Sequence, residues 1–227
     1  RRALELKPAY PEAHNNLGGA LHSLGRAAEA EASYRRALEL KPDYADAFSN
    51  LSVTLKDLGR LAEAEASSRR ALQIKSDFSE AHANLGNALL EQGRLAEAEA
   101  SYRRALELKP DFSEAHNNLG NALKDQGRLA EAEASYRRAL ELKPDYPEAH
   151  FNRGNALQAL GQLPEAEAGF RRATELKPDY PEAHFNRGNA LQALGQLPEA
   201  EASFRRATEL EPDYPEAHCN LANTLQA

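Results

Sequence analysis

The chain has 227 residues, 28% of them charged and 41% apolar, the balance of a folded protein rather than a disordered one. Its formal charge of -7, from 28 basic and 35 acidic residues, argues against nucleic acid or an anionic membrane as main partner, since both select for cations. Cys219 is the single cysteine, so no intrachain disulfide can form, and a reducing, cytoplasmic setting is expected. No apolar stretch approaches the roughly 20 residues of a membrane span, and "RRALELKPAY" contains no signal-peptide core.

That opening matches the last ten positions of a 34-residue period, so the chain begins in mid-element and reads as a fragment. Full repeats follow at 11–44, 45–78, 79–112, 113–146, 147–180 and 181–214, and residues 215–227 match the first helix of a further one. The first repeat has Ala9 before it where the later ones have Asp. The second carries Ser52, Ser68 and Ser76 where other repeats place Gly, an aromatic residue and Pro, which makes it the expected loosest unit.

The third repeat shows the pattern best. "SEAHANLGNALLEQG" puts Ala81, Leu85, Ala88 and Leu89 on one face at helical spacing and stops at Gly93. "RLAEAEASYRRALELKP" continues with Leu95, Ala98, Tyr102, Ala105, Leu106 and Leu108 and stops at Pro110. Asp111 and Glu114 then have the spacing of a capping box, repeated at Asp43/Asp46, Asp77/Glu80, Asp145/Glu148, Asp179/Glu182 and Asp213/Glu216. Mid-helix Gly18, Gly86, Gly120, Gly154 and Gly188 each cost about 1 kcal/mol relative to alanine, which close approach of the paired helices must offset. Repeats five and six differ only at Gly169/Ser203 and Lys177/Glu211, and Pro164 and Pro198 fall in a first helical turn. One such hairpin cannot bury its apolar face alone, so the expected fold is an all-α solenoid of stacked 34-residue helix-turn-helix units.

In the third repeat, Leu85, Gly86, Gly93, Ala98, Tyr102, Ala105 and Pro110 stand where the tetratricopeptide repeat (TPR) family has its signature. The resemblance covers the whole chain and implies a right-handed superhelix. His14, Phe48 and His82 take the place of the family's usual Trp. "PEAHCNLANTLQA" and an unbroken Asn column further resemble the repeat region of O-linked N-acetylglucosamine transferases and related bacterial TPR scaffolds.

That column is Asn16, Asn50, Asn84, Asn118, Asn152, Asn186 and Asn220, followed three residues later by Asn87, Asn121, Asn155, Asn189 and Asn223. With Glu12, Asp46, Glu80, Glu114, Glu148, Glu182 and Glu216 they form one stripe of the first helices, opposite the Ala and Leu core. By resemblance this stripe lines a concave groove. An amide offers both donor and acceptor, so the ladder can grip peptide backbone; alternatively, each Asn bonds a neighbouring helix and fixes packing. At about 1 kcal/mol net per bond, six rungs give about 6 kcal/mol before ordering costs, which supports weak binding. Phe151 and Phe185 are candidate side-chain anchors, and packing against adjacent helices is their other reading.

The column His14, His82, His116, His150, His184 and His218 supplies one imidazole per repeat and cannot converge on one metal ion. Ser, His and Asp likewise recur in separate ladders, so no catalytic, metal or cofactor site is expected. Arg35/Arg36, Arg69/Arg70, Arg103/Arg104, Arg137/Arg138, Arg171/Arg172 and Arg205/Arg206 follow Glu31, Glu65, Glu99, Glu133, Glu167 and Glu201 at i,i+4, reading as a solvated ion-paired face. Arg153 and Arg187 replace a core Leu and should reach a carboxylate. The functional expectation is a non-enzymatic module binding a protein or peptide in its groove. Its alternatives are a scaffold self-associating through the array ends, the last helix offering Ala217, Leu221 and Leu225, and the recognition part of a larger glycosyltransferase-like enzyme.

Overall fold

The computed structural model describes residues 7–226; the helix tail expected at residues 1–7 lies outside them except for Lys7. Thirteen α-helices and no strand occur among the described residues. They fall into two compact units that divide after Asp111. The first holds α1 (Pro11–Ser23), α2 (Ala27–Leu40), α3 (Ala45–Asp57), α4 (Leu61–Ile74), α5 (Ser79–Glu91) and α6 (Leu95–Leu108). The second holds α7 (Ser113–Asp125), α8 (Leu129–Leu142), α9 (Pro147–Ala159), α10 (Leu163–Leu176), α11 (Pro181–Ala193), α12 (Leu197–Leu210) and α13 (Pro215–Gln226).

Within each unit every helix packs on its sequence neighbours, and first helices of successive repeats also touch, as α3 touches α1 and α5. This is the expected all-α solenoid of helix-turn-helix units. The first helices of the six full repeats end in the same way. Gly93 lies at φ +74°, its N–H donates to the Leu90 carbonyl, and the Arg94 N–H reaches back to Leu89, each at 2.9 Å. That 6→1 and 5→2 pair satisfies carbonyls the helix leaves open.

The N-termini correct one expectation. Helix α3 is preceded by Tyr44, α5 by Phe78 and α9 by Tyr146 at the capping position, and none makes a side-chain cap bond. The Asp residues lie one position too early to cap. Instead Glu80 and Glu114 accept from their own backbone N–H groups and from the adjacent Ser79 and Ser113 hydroxyls.

The cores are small-residue cores with one ring per repeat. Ala98, Tyr102 and Ala105 of α6 are fully buried, as are Ala132, Tyr136 and Ala139 of α8 and Ala166, Phe170 and Ala173 of α10. A Cβ on Gly18, Gly120, Gly154 or Gly188 would lie 2.5–2.7 Å from the ring of Tyr34, Tyr136, Phe170 or Phe204. The mid-helix glycines are therefore the sockets for these rings. The second repeat lacks both partners: Ser52 and Ser68 are buried in their places, and the Ser68 hydroxyl has no hydrogen-bond partner.

Candidate functional site

The Asn ladder lies between neighbouring first helices, half-buried from Asn50 to Asn220, with Asn16 exposed. Within each unit its NH2 groups tie successive rungs together. Asn50 donates to Asn15 Oδ1 at 3.1 Å, Asn84 to Ser49 Oγ at 3.0 Å, and Asn152 to Asn117 Oδ1 at 3.1 Å. The acceptor in each case is the residue immediately before the preceding Asn.

Phe151 and Phe185 take that place in repeats five and six and cannot accept. There the donor turns to the second Asn column: Asn186 Nδ2 to Asn155 Oδ1 and Asn220 Nδ2 to Asn189 Oδ1, both 2.8 Å. The buried ring beneath those carbonyls has changed as well. Tyr102 donates its phenol to Asn87 Oδ1 at 2.7 Å and Tyr136 to Asn121 at 2.8 Å, whereas Phe170 and Phe204 have no hydroxyl to donate. Burial pushes the Tyr102 phenol well above its usual range, so it remains a donor. The loss of an acceptor at Phe151 and Phe185 thus reroutes one amide per repeat. The Oδ1 atoms of Asn50, Asn84, Asn152, Asn186 and Asn220 have no protein partner among the described residues.

Phe151 and Phe185 pack as half-buried parts of the core. The Phe151 ring lies 5.9 Å from Phe170 and 4.9 Å from Tyr180, and Phe185 repeats this with Phe204 and Tyr214. Their partly exposed edges stand beside the ladder.

The histidines are packing residues. Nε2–H of His14, His82, His150, His184 and His218 donates to the carbonyl of Pro8, Ser76, Pro144, Pro178 and Pro212, at 2.9–3.1 Å. No group of His, Cys, Asp and Glu able to hold a metal ion occurs among the described residues.

Most of the arginines are ion-paired, Arg70 instead donating to Gln73 at 3.1 Å. Arg35 meets Glu31 at 2.9 Å and Arg103 meets Glu99 at 2.8 Å. Glu31 and Glu65 are also bridges between repeats, a role that i,i+4 spacing does not reveal. Glu31 receives Arg60 at 2.8 Å and Glu65 receives Arg94 at 2.7 Å, each from the following repeat. Burial works against the Glu31 and Glu65 charges, but these guanidiniums (with Gln92 at Glu65) hold both carboxyls below the usual range. In repeats five and six the loop Arg is Gln162 or Gln196. The guanidinium now comes from Arg153 to Glu133 at 2.8 Å and from Arg187 to Glu167 at 2.9 Å, as expected for those two residues.

Two further features were not singled out from the sequence. An open cavity of about 460 Å³ lies between α2, α3 and α4, floored by Leu38, Phe48, Leu51 and Leu55 with Arg35 and Glu63 at its edge; its signal is Phe48 standing in the His column. The second is a lysine three residues before the inter-repeat aromatic in all repeats but the sixth, its ammonium 4.5–4.9 Å from the ring centre at Lys7/Tyr10, Lys41/Tyr44, Lys75/Phe78, Lys143/Tyr146 and Lys177/Tyr180.

A TPR-repeat profile matches residues 86–127, 120–161, 154–195 and 188–227, and a second tetratricopeptide profile matches residues 9–77. The chain belongs to the tetratricopeptide repeat family. No curated protein matches it. Among solved structures the TPR chain is similar to PilF of Pseudomonas aeruginosa (TM-score 0.83, 22% identity, 94% of this chain and 97% of that one). It is also similar to YrrB, described as a TPR protein with an unusual peptide-binding site (TM-score 0.65, 26% identity, 81% and 95%), and to MamA (TM-score 0.61, 24% identity, 71% and 94%). Such TPR arrays act as scaffolds for protein–protein interaction. No described helix is long and apolar enough to cross a membrane.

Proposed function

We propose that this TPR chain is a non-enzymatic module that binds extended peptide segments along the Asn face of its first helices. The observation carrying the reading is the polarity of the ladder. The NH2 groups of Asn50, Asn84, Asn152, Asn186 and Asn220 are spent on the preceding repeat, which fixes those amides, while their Oδ1 atoms have no protein partner among the described residues. A fixed row of acceptors suits a ligand that offers regularly spaced donors, and an extended backbone offers an N–H at every non-proline residue. Because the donors also join repeats, one amide serves packing and recognition together. The likeness to YrrB, a protein with a peptide-binding site, supports this reading. Phe151 and Phe185 add apolar edges beside Asn152 and Asn186.

The experiment replaces Asn118, Asn152 and Asn186 with Ala and measures binding to an array of extended peptides beside helicity. Affinity is expected to fall at least tenfold with helicity nearly unchanged. Lost rung-to-rung bonds should cost about 1 kcal/mol each in stability. Unchanged affinity with a sharply lower melting temperature would assign the ladder to packing alone.

A further inference from the structure

Lys143 shows what the recurring lysine does in the second unit. Its ammonium lies 4.5 Å from the Tyr146 ring centre and 3.5 Å from the Glu114 carboxylate. Lys41 does the same in the first unit, 4.6 Å from Tyr44 and 3.7 Å from Glu12. Each is a seat for one cation, made of an aromatic face and a first-helix carboxylate, and filled by the chain itself.

The sixth repeat keeps the seat and lacks the cation. Glu211 stands where Lys177 stands one repeat earlier, in one of only two differences between repeats five and six. Tyr214 and Glu182 occupy the positions of Tyr146 and Glu114. Phe185 supports the Tyr214 ring at 4.9 Å. Glu182, Glu211 and Glu216 are exposed and form no ion pair among the described residues. Burial raises the Tyr214 phenol and these three carboxylates raise it further. They are not grouped to hold a metal ion, and the aromatic face points to an organic cation.

We propose that Tyr214, Glu182 and Glu211 form a docking seat for the side-chain ammonium of a lysine supplied by a partner protein. The partner's ammonium takes the place held elsewhere by this chain's own lysine, and Glu211 turns the charge of the rim from repulsive to attractive. The seat needs none of the ladder amides and goes beyond the groove reading.

The test is an NMR titration of the full chain with the peptide acetyl-Gly-Lys-Gly-amide, with its Nε-acetyl-lysine counterpart as control. A saturable, millimolar, salt-sensitive shift of the Tyr214 and Phe185 ring signals is expected with the lysine peptide only. Glu211→Lys should weaken it at least tenfold by refilling the seat from within. Lys177→Glu should open a second responsive ring at Tyr180. An equal response to the acetylated peptide, or an undiminished one in Glu211→Lys, overturns the proposal. The chain with Asn152→Ala and Asn186→Ala should respond as the wild type; loss there would assign the signal to the ladder face and overturn the seat.

Discussion

Gly86 and Tyr102 are a matched pair: a Cβ built on Gly86 would meet the Tyr102 ring at 2.6 Å. The ring is fully buried, so it cannot move aside cheaply. Overpacking of this kind costs about 1–3 kcal/mol, against about 1 kcal/mol regained from the better helix propensity of alanine. Gly86→Ala is therefore expected to lower stability by up to about 2 kcal/mol, read from urea unfolding. The second repeat gives the reciprocal case. Ser68→Tyr alone should destabilise, because the new ring meets the Ser52 Cβ. Adding Ser52→Gly should bring the chain above wild type, by burying a ring and removing an unpartnered hydroxyl. Additive effects of the two changes would show that the pair is not coupled.

Amide exchange should be fastest, away from the ends, in the second repeat. Ser68 leaves its hairpin without the ring that fills every other socket, and its buried hydroxyl is unsatisfied. Local opening should therefore need less free energy between Ala45 and Ile74 than between Ser79 and Leu108. Equal protection of the two repeats would refute this.

The 34-residue period made the helices, their order and their glycine ends legible, because each rests on local chemistry repeated in phase. The Asn column was legible as a column, but its bonding was not. Whether Asn186 donates to the residue before the preceding Asn or to Asn155 depends on Phe151, in the first helix of the preceding hairpin. That dependence appears only when the hairpins stack. The capping expectation failed for a similar reason. The spacing of Asp43 and Asp46 fits a box, but the aromatic that enters between the repeats, Tyr44, takes the capping position itself. Arg153 was legible because a charged residue in a core column must find a carboxylate.

The exchange of Arg between two origins can be reversed. Glu133 is mostly buried and is held by Arg153 at 2.8 Å and Arg137 at 3.6 Å. Arg153→Leu restores the residue found at Leu85 and Leu119 but leaves Glu133 with its weaker partner. A loss of about 1 kcal/mol is expected, larger than for an exposed pair and smaller than for a fully buried one. Gln162→Arg placed on that background should recover most of it, since Arg94 reaches Glu65 from the corresponding loop position. Failure of the second change to recover stability, measured by denaturant midpoint, would separate the two repeat types.

Acid should weaken the array before its carboxylates titrate. Burial lowers the pKa of His82, His150 and His184, and the Ser76, Pro144 and Pro178 carbonyls offset this only in part. The charges around them act in the same net direction: Arg104 against Glu107 at His82, Arg172 and Arg153 against Asp145 at His150, Arg206 and Arg187 at His184. Each folded pKa thus lies below the ordinary 6.5, so the unfolded chain takes up protons first as the pH falls. The stabilisation from neutral imidazole is complete above about pH 6.5 and is lost as the pH drops from there through the folded values. Urea midpoints should fall between about pH 7.5 and about pH 5.5, a window above most carboxylate titration. His82→Gln, His150→Gln and His184→Gln together keep a donor at each carbonyl and should flatten that slope. A slope unchanged in the triple variant would place the acid sensitivity on other groups.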